Sequence, residues 1–180
     1  FQNGHYGSDY IRALSRYAVW VKDTKWALTK VQQEVWVNIL INGMQWISYK
    51  DNFTAHNILG RSNTIKGSAK SQFPNMLPEF TNVVDKTIPQ YAQIKALATK
   101  ISTVGAKNYQ IDSTKYFWNS HIILNHSAKY FTSVRMLSKR TLGAESADSA
   151  PGKMNFFVSD GSTMLYRDGT EYDSVRVAWN

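Results

Sequence analysis

The chain has 180 residues, 43% of them apolar, enough to bury a sizeable core in one domain or in parts of two. Its net charge of +8 calls for an acidic partner, whether nucleic acid, anionic lipid or acidic polysaccharide, without choosing among them. Absence of cysteine excludes disulfides, thiolate zinc sites and cysteine nucleophiles, and no apolar run reaches membrane-spanning length.

The first half reads as helical. Ser8 or Asp9 can cap a helix whose apolar positions Tyr10, Ile11, Leu14, Tyr17, Ala18 and Val21 follow helical spacing. After a polar turn at Asp23 and Thr24, a second helix carries Val31, Val35, Trp36, Ile39, Leu40 and Gly43, with Trp46 and Ile47 near its end. Each is one-faced and must pack on neighbours, most simply as an antiparallel pair. From Lys50 to Gln72, Asn, Gly, Ser, Thr and Lys predict a long polar loop, and loops of that length are seldom without function. Helical spacing returns at Met76, Phe80, Val83 and Val84, and after Pro89 at Tyr91, Ile94, Leu97 and Ile101.

Past Gly105 the period changes from helical to two. Strands are predicted over 116–124, 131–137, 154–158, 163–166 and 175–179, with Asp160-Gly161 and Asp168-Gly169 as hairpin signals. Helices followed by antiparallel strands define an α+β chain in two layers or domains. The division is placed at 1–108 and 109–180. The chain opens without Met and stops inside an alternating pattern, so it is expected to be an excerpt of a longer protein.

Single residues invite ordinary readings. His56, His121 and His126 lack metal-ligand spacing and are expected to be satisfied structural histidines, with no metal and no cofactor. Trp20, Trp26, Trp36 and Trp46 are expected to pack, whereas Trp118 is expected in a cleft or on the sheet. Asn52-Phe53-Thr54 and Asn125-His126-Ser127 are glycosylation sequons of a kind that arises often by chance.

Several short segments carry more when taken in order. They are Tyr6-Gly7, Gly60-Arg61, Phe117-Trp118-Asn119, Val134-Arg135-Met136, Ser138-Lys139-Arg140-Thr141, Glu145-Ser146 and Ser159-Asp160-Gly161. In that order they resemble the polysaccharide lyase family that holds the hyaluronate, chondroitin AC and xanthan lyases (family 8), the chondroitin AC type most of all. The resemblance implies the last helices of an (α/α) toroid followed by the first strands of an antiparallel β-sandwich, with the substrate cleft between them. It implies β-elimination on uronate-containing acidic polysaccharide of the chondroitin or hyaluronan type, without a catalytic metal.

The proton beside a uronate carboxylate is weakly acidic, so its removal needs a base and stabilisation of the resulting dianion. Tyrosine ordinarily titrates near pH 10, and a nearby guanidinium favours its phenolate. By resemblance Tyr6 is the base that then protonates the leaving oxygen, Arg61 is the guanidinium beside it, and Glu145 holds the cluster in place. The family's catalytic histidine and asparagine would precede residue 1. Two positions depart from the pattern. Lys66, after Ile65, stands where chondroitin-type members carry a second arginine, and Asp148 stands where an asparagine is usual. Both are counted as substrate-binding positions.

The expected partner is therefore an acidic polysaccharide, with no nucleic acid and no membrane. The protein is expected to be a secreted or periplasmic monomer. The alternative is a catalytically inactive protein that binds acidic glycans. A nucleic-acid binder is disfavoured, because the basic residues are scattered and no nucleic-acid motif occurs.

Overall fold

The computed structural model describes residues 6–50, 53–60, 70, 73–105, 111–141 and 161–172. Helices come first and strands second, as the change of period requires. The division placed between residues 108 and 109 lies outside the described residues.

Helix α1 (Tyr6–Val21) begins at Tyr6, ahead of the expected cap, and Asp9 falls inside its first turn. There the carboxylate meets the positive end of the helix dipole and the Arg12 guanidinium at 2.8 Å. Ile11, Ser15 and Ala18 form the inward stripe, and Ser15 reaches Met76 on the fourth helix. Tyr10, Tyr17 and Trp20, expected in the core, are exposed. Trp20 is two residues past Ala18, a spacing that places it across the helix from the stripe. Trp26, also expected to pack, is exposed in the turn that follows.

Helix α2 (Lys30–Ile39) starts with a capping box, in which Thr29 Oγ1 accepts from Gln32 N and Gln32 Oε1 accepts from Thr29 N. Trp36 and Val37 turn inward, while Val31 and Val35, expected as core positions, face solvent. A π-turn at Leu40–Met44 then widens the helix before the short α3 (Gln45–Ile47), and Gln45 N–H donates to the Leu40 carbonyl five residues back.

Strands β1 (Ser48–Tyr49) and β2 (Phe53–Thr54) form a minimal antiparallel pair. The stretch that follows departs most from expectation. Instead of an open polar loop, residues Ala55 to Leu59 are buried around a 3-10 turn at His56–Ile58. Helices α4 (Phe73–Thr81) and α5 (Tyr91–Val104) match the expected spacing, and α5 stops at Gly105, whose φ of 77° suits glycine. Trp36 meets Phe80 edge to face at 5.4 Å, locking α2 onto α4.

The sheet is a four-stranded antiparallel meander, β3 (Ser113–Phe117), β4 (Ile122–His126), β5 (Phe131–Arg135) and β6 (Ser162–Tyr166), in sequence order. The single strand expected over 116–124 is thus a hairpin that reverses at Trp118–His121. The expected strands at 154–158 and 175–179 lie outside the described residues. Register defines the rows His126–Phe131–Tyr166, Leu124–Ser133–Met164 and Ile122–Arg135–Ser162 on one face. Ile122, Leu124, Phe131, Met164 and Tyr166 from those rows join the helical side chains in one core. Full burial of each such apolar side chain contributes about 1.5–3 kcal/mol.

Candidate functional site

Four of the motif segments, as far as they are described, meet at one end of this sheet: Phe117-Trp118-Asn119, Val134-Arg135-Met136, Ser138-Lys139-Arg140-Thr141 and Gly161. Strand β3 runs out at Phe117 into the Trp118–His121 reversal. Strand β5 ends beside it at Arg135, and Met136 N donates to the His121 carbonyl at 2.8 Å. The chain then tightens into a turn in which Thr141 N and Thr141 Oγ1 both donate to the Ser138 carbonyl. Strand β6 enters at the same place. Gly161, with φ 92°, lies so close that an added Cβ would stand 3.5 Å from the Arg135 carbonyl. A left-handed φ at that close approach suits only glycine well.

The buried 3-10 turn, which leads to Gly60, is fastened to the same strands. Asn57, fully buried, donates from Nδ2 to the Ser133 carbonyl at 3.1 Å and accepts from Ser133 Oγ at 2.6 Å. Arg135 Nη1 donates to the Asn57 carbonyl at 3.3 Å. On the other side Tyr166 Oη accepts from the His56 backbone N–H at 2.7 Å. Four polar contacts thus fasten the residues just before Gly60 to the two strands next to the 138–141 turn. The 55–59 segment is thereby fixed against β5 and β6.

Burial shapes the electrostatics of this network. The Tyr166 phenol titrates above its ordinary value, mainly because burial disfavours the phenolate, so it stays a neutral hydroxyl. Burial likewise lowers the Arg135 guanidinium from its usual value. No carboxylate pairs with it among the described residues. On the helix side of β4, His126 Nε2 donates to the Trp46 carbonyl at 2.6 Å, and burial lowers that imidazole to about 4. It is a satisfied core histidine, as its surroundings predict.

Of the residues assigned by resemblance, Tyr6 is described: it opens α1 and is exposed. Arg61, Lys66, Glu145 and Asp148 lie outside the described residues. Trp118, expected in a cleft or on the sheet, is exposed at the hairpin tip and lines a groove of about 590 Å³ against the π-turn. Asn57, Ser133 and Lys115 were not singled out from sequence. Their partners lie 73 to 76 residues away, and no local pattern announces such contacts. Among the described residues no group of three or more His, Asp or Glu side chains is placed to hold a metal, and no helix is long and apolar enough to cross a membrane.

Helices packed on a four-stranded antiparallel sheet make this an α+β fold. Residues 112–180 match the family model described as polysaccharide lyase family 8, super-sandwich domain. The resemblance to that family is borne out by its relatives. Chondroitinase-AC of Pedobacter heparinus is 26% identical over 185 residues, spanning 99% of this chain and 25% of its own length. Among solved structures, a chondroitinase AC lyase superposes with a TM-score of 0.76 at 23% identity, over 99% of this chain and 26% of the other. A Paenibacillus xanthan lyase gives 0.75 at 14% identity, over 96% and 19%. At these identities the superpositions show a shared fold. The chain spans about a quarter of the length of the curated relative it matches.

Proposed function

We propose that the protein acts on uronate-containing acidic polysaccharide, of the chondroitin or hyaluronan type, by β-elimination. The observation that carries this reading is the meeting of residues 117–119, 134–136, 138–141 and Gly161 at one sheet end, in a chain similar to Chondroitinase-AC over 99% of the chain's own length. Residues 1–108 then form the last helices of an (α/α) toroid, and 109–180 the first strands of an antiparallel β-sandwich. The protein is a secreted or periplasmic monomer in this reading.

In the proposed step the Tyr6 oxygen, as phenolate, takes the proton from the carbon next to the uronate carboxylate. The freed electron pair becomes a carbon–carbon double bond as the glycosidic C–O bond breaks, and Tyr6 returns its proton to the departing oxygen. Arg61 sets a permanent positive charge beside the reacting oxygen and Glu145 holds the guanidinium in position. Lys66 attracts the polyanion. Asp148 repels it locally and narrows which sugar is accepted.

The test uses the full-length protein. Chondroitin or hyaluronan is expected to yield unsaturated uronates, followed by their ultraviolet absorbance, and Tyr6→Phe is expected to lower the rate by at least about 100-fold. Full activity of the phenylalanine variant would remove Tyr6 from the mechanism. Tight glycan binding without any unsaturated product would instead favour the inactive binding protein.

A further inference from the structure

The groove at the hairpin tip combines features that no packing role requires. One wall is the π-turn, which contributes Asn42 and Gly43. The other is the β3–β4 hairpin with the exposed indole of Trp118, and Ile47, Ile58 and Leu124 lie beneath. Its volume of about 590 Å³ falls within the range of sites that hold small organic ligands. Gly43 leaves its part of the wall open, since an added Cβ would meet nothing within 4 Å.

A single cation sits among the lining residues. Lys115 Nζ donates to the Asn42 carbonyl at 2.9 Å and to Asn42 Oδ1 at 3.1 Å, while Asn42 Nδ2 donates to Asn38 Oδ1 at 2.8 Å. The ammonium also lies 5.1 Å from the Trp46 ring centre and 5.4 Å from that of Phe117. An ammonium has three donors, and Asn42 occupies two. Among the described residues no carboxylate pairs with Lys115, and no lining residue is acidic. The result is a pre-positioned, partly desolvated cation beside an exposed aromatic plane and an apolar floor. A pyranose ring with an anionic substituent matches it: its C–H face packs on the indole and the floor, and its anion meets the ammonium.

We infer that this groove is a binding subsite for an anionic sugar unit, with Trp118 as the stacking platform and Lys115 as the anion contact, next to the segment that leads to Arg61. Ile58, which lines the groove, follows Asn57 directly, so a sugar held here lies against the 3-10 turn fixed to β5. The inference rests on the glycan reading above and extends it to residues that the family resemblance does not assign.

The experiment is calorimetric binding of size-defined chondroitin oligosaccharides, sulfated and desulfated, to full-length protein carrying Tyr6→Phe, with Lys115→Met and Trp118→Ala added singly. Each addition is expected to weaken binding by about tenfold, the worth of one charge-assisted contact or one stacked ring. If sulfate is the anion bound, Lys115→Met costs affinity for sulfated chains alone; if carboxylate, for both. Affinity unchanged in Lys115→Met, with circular dichroism intact, overturns the subsite even if Trp118→Ala fails to fold. Turnover in the unmutated protein is measured separately, so an active enzyme whose groove variants bind normally refutes the subsite and spares the lyase reading.

Discussion

His126 shows how one side chain links packing to pH. Its imidazole lies against Trp46, Tyr49 and Phe131, at ring-centre separations of 6.0, 6.2 and 4.4 Å. The Trp46 carbonyl can only accept, so Nε2 carries the proton, and among the described residues no second acceptor rewards protonation of the ring. Burial therefore lowers the folded-state value to about 4, against an ordinary 6.5. In the unfolded chain the imidazole gains its proton near pH 6.5, so the unfolded state is favoured progressively as the pH falls from there. The stability present above pH 6.5 should decline by about 3 kcal/mol by pH 4 through this residue. Urea unfolding at pH 7, 5.5 and 4 checks this. His126→Phe should be less stable at pH 7, because the Trp46 carbonyl loses its donor, yet should have a flatter pH dependence. An equal acid loss in the variant would place the titration elsewhere.

At the scale of elements, the 55–59 segment acts as a clamp between the helical half and the sheet. Removing the Asn57 carboxamide strands Ser133 Oγ and the Ser133 carbonyl in a dry interior, and unmet buried groups cost about 1–3 kcal/mol each. Asn57→Ala is therefore expected to lose about 2–6 kcal/mol in urea unfolding, summed over the two. In the full-length protein it should lower kcat/KM more than a core variant of similar cost away from the groove, Leu77→Ala, since it also frees the stem leading to Arg61. Equal losses would make Asn57 a packing residue and no more. This segment was also the hardest to read from sequence. His56 and Asn57 have the composition of a solvated loop, and their partners Tyr166 and Ser133 lie 110 and 76 residues away. The hairpin at Trp118–His121 was hidden for a related reason. Its reversal uses no glycine or proline, and only Asn119-Ser120-His121 separates Tyr116-Phe117-Trp118 from Ile122-Ile123-Leu124. By contrast β5, β6, α4 and α5 were legible, because local period alone determines which of their faces is buried. At the sheet end, four of the ordered motifs, at residues 117–119, 134–136, 138–141 and 161, fall together, while the polar contacts around Asn57 had no signature in sequence.

At the scale of the whole molecule, the decisive feature is which apolar side chains remain uncovered. Tyr10, Tyr17 and Trp20 on α1, Trp26 in the turn and Val31 and Val35 on α2 are all exposed, Trp20 to 78% and Val31 to 70%. These two helices are one-faced by sequence, yet each puts large apolar residues on its outer side as well. Helices apolar on two faces are those that pack between neighbours, and contiguous apolar surface on a soluble domain marks an interface. An (α/α) toroid supplies such neighbours by setting each helix between others. Residues 1–180 produced alone are accordingly predicted to bind a hydrophobic dye strongly and to melt over a broad range. On the proposed toroid, a longer chain that adds its neighbouring helices should suppress dye binding and sharpen the transition. A sharp cooperative melt of the 180-residue piece without dye binding would show that water covers these faces in the native protein, and the toroid reading of the first 108 residues would then fail.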